Sequence, residues 1–158
     1  MWNNIKVLSH GYQGTRVLFS SLGQDTAIKR KTQCLKPGGW LNDEVINLYL
    51  CLFKEREERE PQKFLKCHFF STYFYAKISG IEGYDYNSVS KWTDKIGYEL
   101  LECDKIFVPI NNNIHWTLAV INKKDKTLQY LDPMKRKEPL FLDILNNHII
   151  KKVTTKQS

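Results

Sequence analysis

The 158-residue chain has no apolar run approaching the ~20 residues that a membrane-spanning helix requires. Its apolar stretches, such as Ile106–Ile110, are the length of a strand. The first residues, Met1-Trp2-Asn3-Asn4-Ile5-Lys6, lack the charged-then-apolar pattern of a secretory signal, so neither a secreted nor a membrane protein is expected. Cysteines are few. Cys34, Cys51, Cys67 and Cys103 form no C-x-x-C pair and no zinc-ribbon spacing, which points to reduced thiols in the nucleus or cytoplasm. The four histidines include no H-E-x-x-H motif, so no metal site and no cofactor are expected. There is no internal repeat and no linker rich in Pro, Gly or Ser, which leaves a single main domain. Acidic residues are scarce towards the end: residues 123–158 hold nine of the 24 basic side chains but four of the 17 acidic ones. Only two aromatic residues, Tyr130 and Phe141, fall among these charges, so they read as a solvated tail and nucleic acid is not an expected partner.

What is present is ordinary for one globular core: 42% hydrophobic and 26% charged residues. Residues 1–30 read as an irregular N-terminal extension. After Pro37-Gly38-Gly39, Asn42 is a good N-cap, and Asp43 and Glu44 suit the positive end of a helix. Val45, Ile46, Leu48, Tyr49, Leu52 and Phe53 give that helix an apolar stripe, and Pro61 ends its charged continuation. A second helix is expected within 63–79, ending at Gly80, and a short third over 86–95. Three β-rich runs follow, Lys105–Ile110, His115–Ile121 and Lys126–Asp132, joined by polar turns. Leu140, Ile144, Leu145, His148 and Ile149 then recur at helical spacing. Helices followed by an antiparallel meander predict an α+β domain.

The second hairpin contains a candidate pair. A tight turn centred on Lys123-Lys124 sets His115 opposite Asp132, on one face of the sheet. A carboxylate there can accept from the imidazole and fix its orientation, as in a nucleophile–His–Asp triad. Periodicity alone fits a structural pair equally well. No nucleophile accompanies it: a four-residue turn over Asn111–Ile114 pairs Ile110 with His115 and leaves Cys103 over ~20 Å along the strand, and Cys51 sits deep in the first helix. Cys34 and Cys67 have no recognisable activating context.

Trp40-Leu41-Asn42-Asp43-Glu44-Val45-Ile46-Asn47-Leu48-Tyr49-Leu50, Lys66-Cys67-His68-Phe69-Phe70 and Ile106-Phe107-Val108-Pro109-Ile110 occur in that order, followed by His115-Trp116-Thr117-Leu118-Ala119-Val120-Ile121 and Tyr130-Leu131-Asp132. Together they resemble the Ulp/SENP-type SUMO proteases, most closely the plant members, from about residue 30 to residue 132. The resemblance implies a papain-like cysteine-protease fold, with residues 31–158 forming a partial catalytic domain. It implies His115 as the catalytic histidine and Asp132 as its orienting carboxylate. It further implies that Trp40 and Trp116 line a narrow tunnel for the Gly-Gly tail of SUMO. Asp43 would meet a basic residue of the SUMO surface, although its place at a helix start also explains it structurally. For both tryptophans, plain core packing is the alternative.

The sequence departs from the family where the nucleophile is expected. Family members carry a D-C-G segment several tens of residues beyond the aspartate, with an oxyanion-hole glutamine before it. Here 26 residues follow Asp132, none of them Cys, and the one glutamine among them is Gln157. The expectation is a half-domain, a monomer acting on SUMO and SUMO-conjugated proteins, whose 158 residues lack turnover by themselves. A non-catalytic SUMO-binding module is the competing reading. Exposed apolar side chains are expected where further elements of the family fold would pack.

Overall fold

A computed structural model describes residues 32–80, 85, 87, 89–92 and 98–155, with side chains up to residue 148. The expected 1–30 extension lies outside these. The chain divides into two compact units, Met1–Leu52 and Phe53–Ser158, with the division inside the first helix.

Among the described residues, the α-helices are α1 (Asp43–Arg59), α2 (Tyr73–Ser79) and α3 (Pro139–Thr155). The strands are β1 (Cys67–Phe69), β2 (Lys105–Asn112), β3 (His115–Asn122) and β4 (Thr127–Leu131), with short 3-10 turns at Gln33–Leu35 and Leu100–Glu102. α1 starts where its sequence dictates. The Asn42 Oδ1 accepts from the Val45 N–H at 2.9 Å, satisfying one of the free donors of the first turn.

The four strands form one sheet in the order β1-β2-β3-β4, with β1 parallel to β2 and the other pairs antiparallel. The fold is α+β, and the meander is present as expected. It carries one addition, because residues 63–79 hold strand β1 as well as helix α2, which ends before Gly80. Of the expected third helix, the described residues 87 and 89–92 form turns. Pro109 sits in β2 between two strands, where its missing N–H would break a ladder. The Phe107 carbonyl accepts from the Phe70 N–H, so Pro109, two residues on, also faces β1, which has ended at Phe69. The proline costs no sheet bond.

Alternation sorts the side chains. Ile106, Val108 and Ile110 of β2 face the core with Ala119 of β3, and all four are at most 4% exposed. α2 covers this face through Phe74, Tyr75 and Ile78, and α3 through Ile144 and Leu145. Phe70 stacks on Phe74, while Phe141 of α3 meets both Tyr75 and Tyr130. On the other face, Phe53 from the C-terminal half of α1 stacks on Phe69, which stacks on Phe107.

A polar clamp joins this part of α1 to β1. Glu57, 8% exposed, accepts from Lys54 Nζ at 2.9 Å through Oε1 and from the Cys67 N–H at 3.0 Å through Oε2. The Lys54 ammonium also donates to the Cys67 carbonyl and lies over the Tyr98 ring. Removing the carboxylate leaves a half-buried ammonium and a strand-end N–H with poorer partners. Glu57→Ala should therefore lower unfolding stability by about 1.5–3 kcal/mol, the worth of hydrogen bonds to a charged group. Urea denaturation checks this; a loss under about 0.5 kcal/mol, the range of a neutral surface change, contradicts it.

Candidate active site

His115 is the first residue of β3, directly after the tight turn at Asn113-Ile114. Asn113 takes φ 61, a left-handed conformation that asparagine tolerates better than most residues. The closing pair is therefore Asn112 with His115, rather than Ile110 with His115 as a four-residue turn predicts. The second hairpin shifts likewise. Leu118 pairs with Leu131 and Asn122 with Thr127, so a longer loop centred on Lys124-Asp125 replaces the tight turn at Lys123-Lys124. Asn122 and Asp125 build that loop by bonding to each other, side chain to side chain and side chain to backbone, and Lys126 takes φ 50.

Both hairpins thus move by two residues, and a two-residue shift keeps every side chain on its face. Asp132 lies diagonally across from His115 rather than directly opposite, and the two still meet. His115 Nε2 lies 2.6 Å from Asp132 Oδ1, with the histidine side chain 18% exposed and the aspartate side chain 1% exposed. The chain after β4 helps to place the carboxylate. Oδ1 also accepts from the Met134 N–H at 2.7 Å, and the Lys135 N–H donates to the Asp132 carbonyl. This Asp-Pro turn was visible as a turn signal, but its N–H as a ligand of the carboxylate was not.

Burial alone would raise the Asp132 pKa, but the Met134 N–H and the His115 ring outweigh it and hold the value below 3.8. The carboxylate is therefore charged at neutral pH and can only accept, so Nε2 is the donor. Nδ1 is the nitrogen left for chemistry.

Of the other expected site residues, Trp116 follows on β3 and, by alternation, faces away from His115 across the sheet, half-buried. Trp40 and Asp43 belong to the first unit. Trp40 is 66% exposed. The turn before it requires glycine: Gly38 has φ 79, and a Cβ on Gly39 would lie 2.2 Å from the Cys34 carbonyl oxygen. Asp43 is the first residue of α1, in the acidic first turn.

Three of the four cysteines lack what a nucleophile needs. Burial pushes the Cys51 and Cys67 thiols up and the Cys103 thiol to about 11, the reverse of a poised thiolate. Cys67 pairs with Lys105, seven residues along β2 from the partner of His115, or about 23 Å. Among the described residues, no group of three His, Cys, Asp or Glu side chains is placed to hold a metal ion.

The depressed Asp132 pKa sets a pH dependence. The folded state favours the carboxylate, so this contribution is complete above the unfolded carboxyl value and is lost as pH falls through the lower folded one. The stability difference between the native chain and Asp132→Asn should be full near neutrality and vanish in acid below 3.8. Denaturant titrations across that range check it; a difference independent of pH contradicts it.

Comparison with known proteins follows the same residues. Residues 39–158 match the family described as the Ulp1 protease family, C-terminal catalytic domain. The chain is 58% identical over 127 residues to ubiquitin-like-specific protease 1A of Arabidopsis thaliana, covering 78% of this chain and 25% of that protein. It is 38% identical over 152 residues to sentrin-specific protease 2 of Homo sapiens, covering 96% and 24%. Among solved structures it resembles the C-terminal Ulp1 protease domain in complex with Smt3, the yeast ortholog of SUMO. That match has TM-score 0.64 and 27% identity, covering 79% of this chain and 54% of the other. A structure of SUMO protease Ulp1 with its catalytic cysteine oxidized to a sulfinic acid matches with TM-score 0.65, 26% identity and coverage of 79% and 55%. The chain thus spans about a quarter of the length of these curated relatives and about half of the solved chains. With that match over residues 39–158, it belongs to the Ulp1 family of SUMO-specific cysteine proteases.

Proposed function

We propose that these residues form the acid–base half of a SUMO-specific cysteine peptidase, which cleaves after the C-terminal Gly-Gly of SUMO precursors or conjugates. The observation that carries this reading is the His115–Asp132 pair, with Nε2 committed to a charged carboxylate at 2.6 Å. Asp132 holds the ring, and His115 takes the thiol proton through Nδ1, then returns a proton to the leaving amine. The thiolate attacks the carbonyl carbon, the amine departs and water releases the acyl group. The resemblance assigns Trp40 and Trp116 each to the Gly-Gly tail, since a flat indole admits a chain without side chains and so selects di-glycine. Asp43 meets a basic residue of the SUMO surface.

The 158 residues include no cysteine after Cys103, and each thiol with a shifted pKa is shifted upward. That observation favours, for residues 1–158 taken alone, a module that holds the SUMO tail without turning it over. The exposed indole of Trp40 supports such binding. General-base catalysis contributes about 10²–10⁴-fold only with a nucleophile within hydrogen-bond reach.

Residues 1–158 should therefore release no reporter from a SUMO–Gly-Gly substrate and form no adduct with a SUMO vinyl-sulfone probe. Weak binding of SUMO ending in Gly-Gly, measured by titration calorimetry or NMR, should disappear in Trp116→Ala. A probe adduct on Cys34 or Cys67 would overturn the half-site reading. Binding unaffected by Trp116→Ala would overturn the role given to the indole.

A further inference from the structure

The core face of the sheet ends in polar side chains rather than apolar ones. Continuing the β3–β4 register one residue beyond Leu118–Leu131 sets Thr117 opposite Asp132. Both side chains belong to the face that carries Ala119 and Tyr130, and opposed residues have Cβ atoms about 4.5–5.5 Å apart. Thr117 is 5% exposed and the Asp132 side chain 1%. Asp132 Oδ1 accepts two bonds, from His115 and Met134, whereas the buried Oδ2 accepts none. The buried Thr117 Oγ1 has no well-aligned hydrogen bond, with Tyr130 as a looser partner. Oδ2 thus lacks a donor in a place where an unmade bond is costly, and the hydroxyl opposite it can turn to supply one.

We propose that Thr117 is a positioning residue: its hydroxyl donates to Asp132 Oδ2, so that the carboxylate is held at both oxygens and aims His115. A threonine hydroxyl turns freely to suit its partners, and it can accept while it donates. Tyr130 is its other hydrogen-bonding neighbour: burial raises the Tyr130 pKa, a hydrogen bond with Thr117 lowers it and the charge of Asp132 raises it. The charged or titratable groups acting on Asp132 are then His115, Arg136 and Tyr130. A carboxylate anchored at one oxygen can pivot about it, while one anchored at both cannot. The imidazole bonded to it is constrained accordingly.

The consequence for catalysis rests on the role proposed for Asp132, but the contact itself is read at Asp132 whether or not SUMO binds. The experiment is an NMR titration of the Asp132 side-chain carbon in the native chain, in Thr117→Val and in Thr117→Ser. Valine keeps the shape and removes the donor, so its Asp132 midpoint should rise by roughly one pH unit, the worth of a hydrogen bond to a charged group. Serine restores the donor and should bring the midpoint back. An unmoved midpoint in Thr117→Val, or equal shifts in both variants, overturns the proposal. A crystal structure of the native chain tests it without any variant. Oγ1 should lie within about 3.0 Å of Oδ2; a separation beyond about 3.5 Å, with Oγ1 bonded to Tyr130 alone, overturns it.

Discussion

The bond from His115 Nε2 to Asp132 Oδ1 governs the chemistry open to this chain, because it decides which imidazole nitrogen is committed and which is free. A charged carboxylate accepts and cannot donate, so the proton on Nε2 is set by the state of Asp132 rather than by the histidine itself. That state depends in turn on a backbone N–H two residues further along the chain. Asp132-Pro133-Met134-Lys135 closes as a turn, with Lys135 at φ 59, and in closing it delivers the Met134 N–H to the same oxygen that holds the histidine. The site is thus the joint product of a hairpin, which supplies the ring, and a turn, which supplies the charge.

The apolar core makes this placement rigid. Ile106, Val108, Ile110 and Ala119 fix the face of β2 and β3, and the helices α2 and α3 cover it. His115 and Thr117 continue that face to the end of β3, as Asp132 does beyond β4, so the polar residues inherit the geometry of the packed ones. A one-residue slip in the β3–β4 hairpin would turn the pair to opposite faces, and a slip in either hairpin would expose core residues. Packing energy therefore protects the site's register. Large apolar side chains beyond the core, including Ile114, Leu131, Met134 and Leu140, are exposed.

Much of this was legible in the residues, for identifiable reasons. α1 carries its own N-cap, acidic first turn and apolar stripe, and α3 carries helical spacing, so both follow from local patterns. The meander follows from alternation, and His115 meets Asp132 although both turns differ in length from the expected ones. Asn113 tolerates a left-handed backbone and shortens one turn, while Asn122 and Asp125 bond to each other and lengthen the next. Each error was an even number of residues, so the faces stayed right. Strand β1 was not legible. It is three residues long, and its pairing with β2 is parallel and remote in sequence. His68 within it is kept neutral by burial, which lowers its pKa to about 4, while Nδ1 meets the Tyr98 hydroxyl, a partner remote in sequence. The exposure of Trp40 was equally invisible, since a tryptophan opening a helix fits a core as well as a surface.

The central claim is that Asp132 commits Nε2 and leaves Nδ1 free to serve a nucleophile. The most direct measurement is the nitrogen-15 NMR spectrum of the His115 ring in the native chain, with the ring kept neutral. The account predicts a protonated Nε2 and an unprotonated, pyridine-like Nδ1, with the preference lost in Asp132→Ala. A ring protonated at Nδ1, or one averaging between both tautomers in the native chain, would contradict it.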